Sequence, residues 1–263
     1  MNKTAERQKY LFNKACDLGY ISIAETAFEL GVSVETIRRD IIVLCKDGKL
    51  EKVRGGAVPL ESPFRKDSEY FLRIQERKEG KRTIGYRAAT MVKSGDVVAL
   101  DCGTSIQEVA TNIRDVENVT FIVNSIPIAN ILMHKMENGE ISGRIIMIPG
   151  EIDEKNRFTK GAMATDMVDK FNYDIAFLSC TAISVNGVSQ YTLDEGMYSR
   201  HLIDHASQCV LVAESDKFGK RSLYEYSKIS DFDYIITERK TKITAELSRI
   251  IKQSKTELII ISL

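Results

Sequence analysis

Residues 98–110 read VALDCGTSIQEVA, and the reading of this stretch decides the fold of most of the chain. An apolar run ends at Asp101. A turn of small residues follows, Gly103-Thr104-Ser105. Then Ile106, Val109, Ala110 and Ile113 recur at helical spacing. That is one strand feeding one helix. Gly103 lets backbone come close to a ligand. The first amides of the helix, with the Thr104 and Ser105 hydroxyls, suit a phosphate. A single turn of this kind is usually only a turn, so its weight depends on whether the pattern recurs.

It does recur. Strand-like runs lie at 97–101, 119–123, 144–148, 174–179, 209–213, 234–237 and 258–261. Helical stretches at 105–114, 126–137, 161–171, 194–207 and 241–252 separate most of them. A further helix over 76–93, with Ile84, Ala88 and Met91 inward, precedes the first. Strands with little polar alternation, spaced by helices, predict an α/β body: a mostly parallel Rossmann-like sheet with helices on both faces. Ligands of such sheets sit at the carboxyl ends of the strands. Asp101, Asn124-Ser125, Pro149-Gly150-Glu151 and the run Glu214-Ser215-Asp216-Lys217-Phe218-Gly219 all fall there. Lys217 offers a point charge to a phosphate, or is a surface lysine. The terminal ELIIISL is expected to be a final core strand.

The first sixty residues follow a different pattern. Leu11, Ala15 and Leu18 mark a first helix with Gly19 as its stop. Ser22 and Glu25 form a capping box for a second helix, which buries Ile23, Ala27 and Leu30 and ends at Gly31. Ser33 caps a third, with Val34, Ile37, Ile41 and Leu44 on one face. This is a helix-turn-helix pattern. Glu35, Thr36, Arg38 and Arg39 remain on the other face of the third helix, in the turns that reach base edges when such a unit docks on DNA. A solvated charged face on a small bundle is the bland alternative. Residues 49–58, KLEKVRGGAV, read as a hairpin placing Lys52 and Arg54 against a phosphate backbone. Pro59 and Pro63 mark a linker at 59–75. The expected organisation is therefore a winged helix-turn-helix at 1–58, the linker, and an effector-sensing α/β domain at 76–263.

VSVETIRRDIIVLCKDGKLEKVRGGAV, residues 32–58, resembles the winged helix-turn-helix of the DeoR family of bacterial transcription regulators. Val32-Ser33, Thr36-Ile37-Arg38-Arg39-Asp40 and Gly55-Gly56-Ala57 carry the match. In the body, Leu100-Asp101-Cys102-Gly103-Thr104-Ser105, Asn124-Ser125, Gly150-Glu151, Ser215-Asp216-Lys217-Phe218-Gly219 and Lys81-Arg82-Thr83-Ile84-Gly85 are similar to the family's sensor domain. The resemblance implies a fold related to sugar-phosphate isomerases that binds a phosphorylated sugar. The implied site includes Asp101, Gly103, Thr104, Ser105, Asn124, Ser125 and Lys217. The implied DNA face includes Ser33, Glu35, Thr36, Arg38, Arg39, Lys52 and Arg54. The chain departs from the pattern at Ser105, Val123, Pro149, Glu214, Cys180-Thr181-Ala182 and Ser199, where the family often has lysine.

Net charge is balanced at 37 cationic and 37 acidic residues. Residues 1–88 carry +5 (18 against 13) and residues 89–263 carry −5 (19 against 24), as a DNA-facing head on a globular body would. The five cysteines have no metal-ligand spacing, so free thiols in a reducing cytoplasm are expected. No signal-peptide core and no run of ~18 apolar residues is present. His201 and His205 at i, i+4 lack a third ligand in the pattern, so no metal and no cofactor is expected. An isomerase-like enzyme with an accessory DNA-binding head is the competing reading, with Asp101, Glu151, Asp153 and Glu195 available as acids. A body that only oligomerises is a third. The reading adopted is a DNA-binding regulator. It represses a carbohydrate-metabolism operon, binds a double-stranded operator as a dimer or tetramer, and is released by a phosphorylated sugar.

Overall fold

The computed structural model describes residues 3–18, 21–53, 55–59, 70, 73–74, 76–238 and 243–262. The chain divides into two compact units that meet between Glu76 and Arg77.

In the first unit, α1 (Lys3–Leu18), α2 (Ile23–Glu29) and α3 (Val34–Lys46) surround one apolar cluster. Its centre is Leu11, Ala15, Ile37, Ile41 and Leu44, each fully buried or nearly so. Side chains of this size contribute roughly 1.5–3 kcal/mol each when fully buried. Two caps behave as their residues predict: Ser22 accepts from the Glu25 amide and Ser33 from the Thr36 amide. Replacing Ser33 by alanine should cost about 1 kcal/mol, read as a lower urea midpoint for the head with α3 still formed. Gly19 lies outside the described residues. Leu30 is only half-buried, and Val34 is 44% exposed rather than on the core face. It is the first residue of α3, a turn ahead of Ile37, where the helix has not yet reached the cluster.

The wing is a three-stranded sheet in the order β1-β3-β2: β1 (Ile21–Ser22), β2 (Leu50–Val53) and β3 (Gly56–Pro59). Gly55 turns the hairpin at φ +82° and its carbonyl accepts from Ile23. β1 is two residues long, too short for a period-2 pattern to reveal. Most of the expected linker at 59–75 lies outside the described residues. Of the rest, Tyr70 is buried beside Val58.

The second unit holds all seven expected strands in one parallel sheet, ordered β15-β14-β12-β9-β4-β5-β6. The strands are β4 (Val97–Leu100), β5 (Val116–Val123), β6 (Ile141–Met147), β9 (Ile175–Leu178), β12 (Cys209–Val212), β14 (Tyr234–Glu238) and β15 (Glu257–Ile261). Alternation places Val98, Leu100, Phe121 and Phe177 on one face. There they meet α4 (Lys78–Ala89), α5 (Thr104–Asn112) and α6 (Ile126–Glu137). Ala99, Ile122, Ala176 and Leu211 take the other face, against α7 (Ala162–Val168), α8 (Leu193–Asp204) and α9 (Ala245–Gln253). Both faces are covered, so both residue sets are apolar. Helix α4 packs so closely on α5 that a Cβ on Gly85 would sit 2.5 Å from the Glu108 backbone.

Three elements differ from the pattern expected of their sequence. The helix over 76–93 ends at Ala89, and the one over 161–171 spans only Ala162–Val168. The C-terminal strand is an edge strand, half-buried rather than core. Two small antiparallel sheets lie beyond those runs: β7 (Glu151–Asp153) with β8 (Phe158–Lys160), and β10 (Ala182–Ser184), β11 (Gly187–Gln190) and β13 (Tyr224–Ser227). They are three- and four-residue strands inside what reads as loop.

Candidate functional site

The head presents the outer face of α3. Arg39 is 79% exposed, and Glu35 lies between the two arginines, 2.7 Å from Arg38 and 3.8 Å from Arg39. Ser33 and Thr36 are engaged with each other, their hydroxyl oxygens 2.8 Å apart. Ser33 thus acts first as a helix cap. Lys52 is exposed on β2, across the ladder from Ala57. Arg54 lies outside the described residues. The next residue of the TIRRD run turns inward: Asp40 is buried and accepts from Arg7 Nε at 2.5 Å and from Gln8 at 3.1 Å. Asp40 therefore fastens α1 to α3, which holds the two preceding arginines outward.

In the second unit the strand order reverses between β4 and β9. From β4 the chain moves outward through β5 to β6, and from β9 outward through β12 and β14 to β15. Such a switch point opens a crevice at the carboxyl ends of its two strands. The loop after β4 is Asp101–Gly103, and the loop after β9 begins at Ser179. They touch: the Ser179 hydroxyl donates to the Cys102 carbonyl at 2.9 Å. A Cβ on Gly103 would sit 2.8 Å from Ser179 Oγ, and Gly103 adopts φ +125°, so only glycine fits there. Gly103 is also the N-cap of α5, and no side chain caps that helix. Its first amides lie beside half-buried Thr104 and buried Ser105, and amides at the start of a helix carry a partial positive charge.

Asp101 lies behind this turn at 0% exposure. It accepts from the Ser199 hydroxyl at 2.8 Å and the Cys102 amide at 2.7 Å. Burial raises its carboxyl to about pH 7, against the lowering by those two donors. The Tyr198 hydroxyl, also buried and electrostatically coupled to Asp101, has no hydrogen-bond partner among the described residues. Gln190 donates to the Ser179 carbonyl at 3.0 Å and accepts from Thr181 at 3.0 Å, closing the β9 side.

Lys217 is half-buried in a short 3-10 turn, Ser215–Lys217, after β12. That turn follows the carboxyl end of β12, the neighbour of β9 in the sheet. Asn124 and Ser125 are drawn in differently. They are buried beneath β8, with the Asn124 amide donating to the Thr159 carbonyl at 3.3 Å.

Several site residues escaped the sequence reading. Lys81 on α4 is buried 3.5 Å from Glu214, itself buried. Glu238 accepts from the Ser215 amide at 3.0 Å, and Arg77 donates to the Ser215 hydroxyl at 3.2 Å. Together these groups clamp the Lys217 turn. Lys81 was detectable, since it falls on the same helical stripe as Ile84 and Ala88. Arg77 and Glu238 carried no local signal.

Of the acids an isomerase would draw on, Asp101 is fully buried and Glu151 is exposed on β7. Cys180 is pushed up to about 12, chiefly by burial, which makes it a poor nucleophile. Asp153 is tied to Lys160 and Glu195 to Thr192. His201 and His205 both face Asp169, at 2.6 and 3.3 Å, and so join the end of α7 to α8.

Two family models match. The DeoR-like helix-turn-helix domain covers residues 7–62 and the DeoR C terminal sensor domain residues 76–239. The HTH-type transcriptional repressor GlcR of Bacillus subtilis is 32% identical over 80% of this chain and 79% of its own. The transcriptional repressor AccR of Agrobacterium fabrum is 30% identical over 93% of each. A ribose 5-phosphate isomerase from Methanocaldococcus jannaschii aligns over 56% of each chain at TM-score 0.39 and 13% identity.

Proposed function

The chain belongs to the DeoR family of helix-turn-helix transcriptional regulators, and from that premise we propose that it is a repressor released from its operator by a phosphorylated sugar. It is a DNA-binding regulator, and relatives of this kind do not favour the isomerase alternative. The repressor direction follows the names of GlcR and AccR.

One observation carries the effector reading: the uncapped start of α5 opens at the topological switch point between β4 and β9. Amides there suit a phosphate. Lys217 supplies the countercharge. Buried Asp101 and Tyr198 suit hydroxyl groups, which both donate and accept. The ligand shifts the repressor only by its differential affinity for two states, typically ~1–3 kcal/mol, or about 5–150-fold in DNA affinity.

Fluorescence anisotropy on the DNA upstream of its own gene, at fixed salt, tests this. The panel is hexose and pentose phosphates, with the unphosphorylated sugars and inorganic phosphate as controls. One sugar phosphate should weaken operator binding, and Lys217→Ala should remove the response while leaving DNA affinity unchanged. Tight DNA binding indifferent to the whole panel would overturn the effector reading and leave the DNA role standing.

A further inference from the structure

The two edges of the seven-stranded sheet are built differently. At β6 the ladder register shifts and Gly143 sits at φ +145°, so close that a Cβ would lie 1.9 Å from the Val119 carbonyl. Arg144 follows. An irregularity and a charge are common guards against another strand adding to an edge. β15 opens on a charge, Glu257, but its register with β14 is unbroken over five residues, and Leu258-Ile259-Ile260-Ile261 carries no charge.

The ladder shows which backbone groups β15 leaves outward. The Glu257 amide donates to Asp233 at 2.8 Å. Glu257, Ile259 and Ile261 therefore turn their amides and carbonyls toward β14, while Leu258 and Ile260 turn theirs away from the sheet. Side chains alternate the other way. Ile259 and Ile261 pack on the α4–α6 face and Leu258 on the α7–α9 face. Ile260 shares the Leu258 face and is 50% exposed. Beside Leu258 lies a hollow of about 320 Å³, floored by Ile251 of α9 and rimmed by Ser248, Lys252, Ser254, Lys255 and Thr256.

We propose that β15 pairs with β15 of a second copy of this chain, antiparallel, about a twofold axis normal to the sheet and centred on Ile259. In that register Leu258 stands opposite Ile260 of the partner subunit, and the reverse. Each such pair exchanges both hydrogen bonds, so every outward amide and carbonyl of the two residues is matched. Directly opposed residues share a face. The protruding Ile260 of each copy therefore meets the hollow beside Leu258 of the other. Knob and hollow are two residues apart on one strand, so the edge is complementary to itself, as a twofold interface requires. A foreign strand would match the backbone but would not return the knob. Two copies supply the two heads that a small reading helix needs for a specific operator. That purpose rests on the DNA-binding reading, but the test below uses neither DNA nor effector.

Sedimentation velocity of the full chain at micromolar concentration decides it. The wild type should sediment as a dimer, or as a larger even-numbered assembly. Ile260→Pro removes an outward amide without touching the β14 ladder, and Ile260→Lys adds a guard. Each should halve the assembly or weaken it by about tenfold or more, while Ile260→Val leaves it intact. Ser248→Arg fills the hollow from α9 and should act likewise without altering the strand, so it decides the matter should a strand variant fail to fold. A monomeric wild type, or an assembly unchanged in Ile260→Lys and Ser248→Arg, overturns the proposal.

Discussion

At pH 8, Asp101→Asn should unfold at higher urea than the wild type, and at pH 5 the advantage should shrink. The cause is burial: in the folded chain the Asp101 carboxyl titrates near 7, against 3.8 for a free aspartate. Below pH ~4 it is protonated in both folded and unfolded chains and costs nothing. Between about 4 and 7 the unfolded chain releases the proton and the folded chain keeps it, so stability falls as pH rises. Above 7 the cost is complete, on the order of 4 kcal/mol. Asparagine carries no charge. Its oxygen can still accept from the Cys102 amide, and its amide can donate to Ser199. Urea titrations of the full chain at the two pH values, following the sensor unit, measure the difference. An equal gain at both would show that ionisation of Asp101 is not its source. A buried acid of this cost is the sort of group that binding sites retain.

The second large effect is expected on DNA. Arg39→Ala should cost about 1–3 kcal/mol on the operator and little on unrelated DNA, because a guanidinium bonded to a base edge reads sequence. Lys52→Ala should weaken all DNA alike and lower the salt slope by about one, because a phosphate contact does not. Competition binding at several salt concentrations separates the two. Equal losses on every DNA for both variants would sink the assignment of Arg39 as a reading residue.

Much of this was legible along the chain, for a physical reason. The sheet strands are buried on both faces, so each appears as an unbroken apolar run. The caps at Ser22 and Ser33 are local, made within three residues. The exposed arginines of α3 follow from the spacing of Ile37, Ile41 and Leu44. The two small sheets lacked apolar runs of that length. Their strands are three or four residues long, and although β7–β8 and β10–β11 are local hairpins, β13 joins from as far as Ser227 opposite Val188.

The sequence alone determined a helix-turn-helix head, an α/β body, the outward arginines and the turn at Gly103. Each depends on neighbours within one or two turns of chain. Tertiary structure alone decided that Asp40 turns inward to Arg7 and Gln8, and that Ser199 meets Asp101 across 98 residues. It also decided that Arg77, Lys81, Glu214 and Glu238 gather around the Lys217 turn. It decided, too, that the last apolar strand is an edge. Strand order settles which loops become neighbours and which strand is outermost, and order comes from the packing of whole units, which no local pattern encodes.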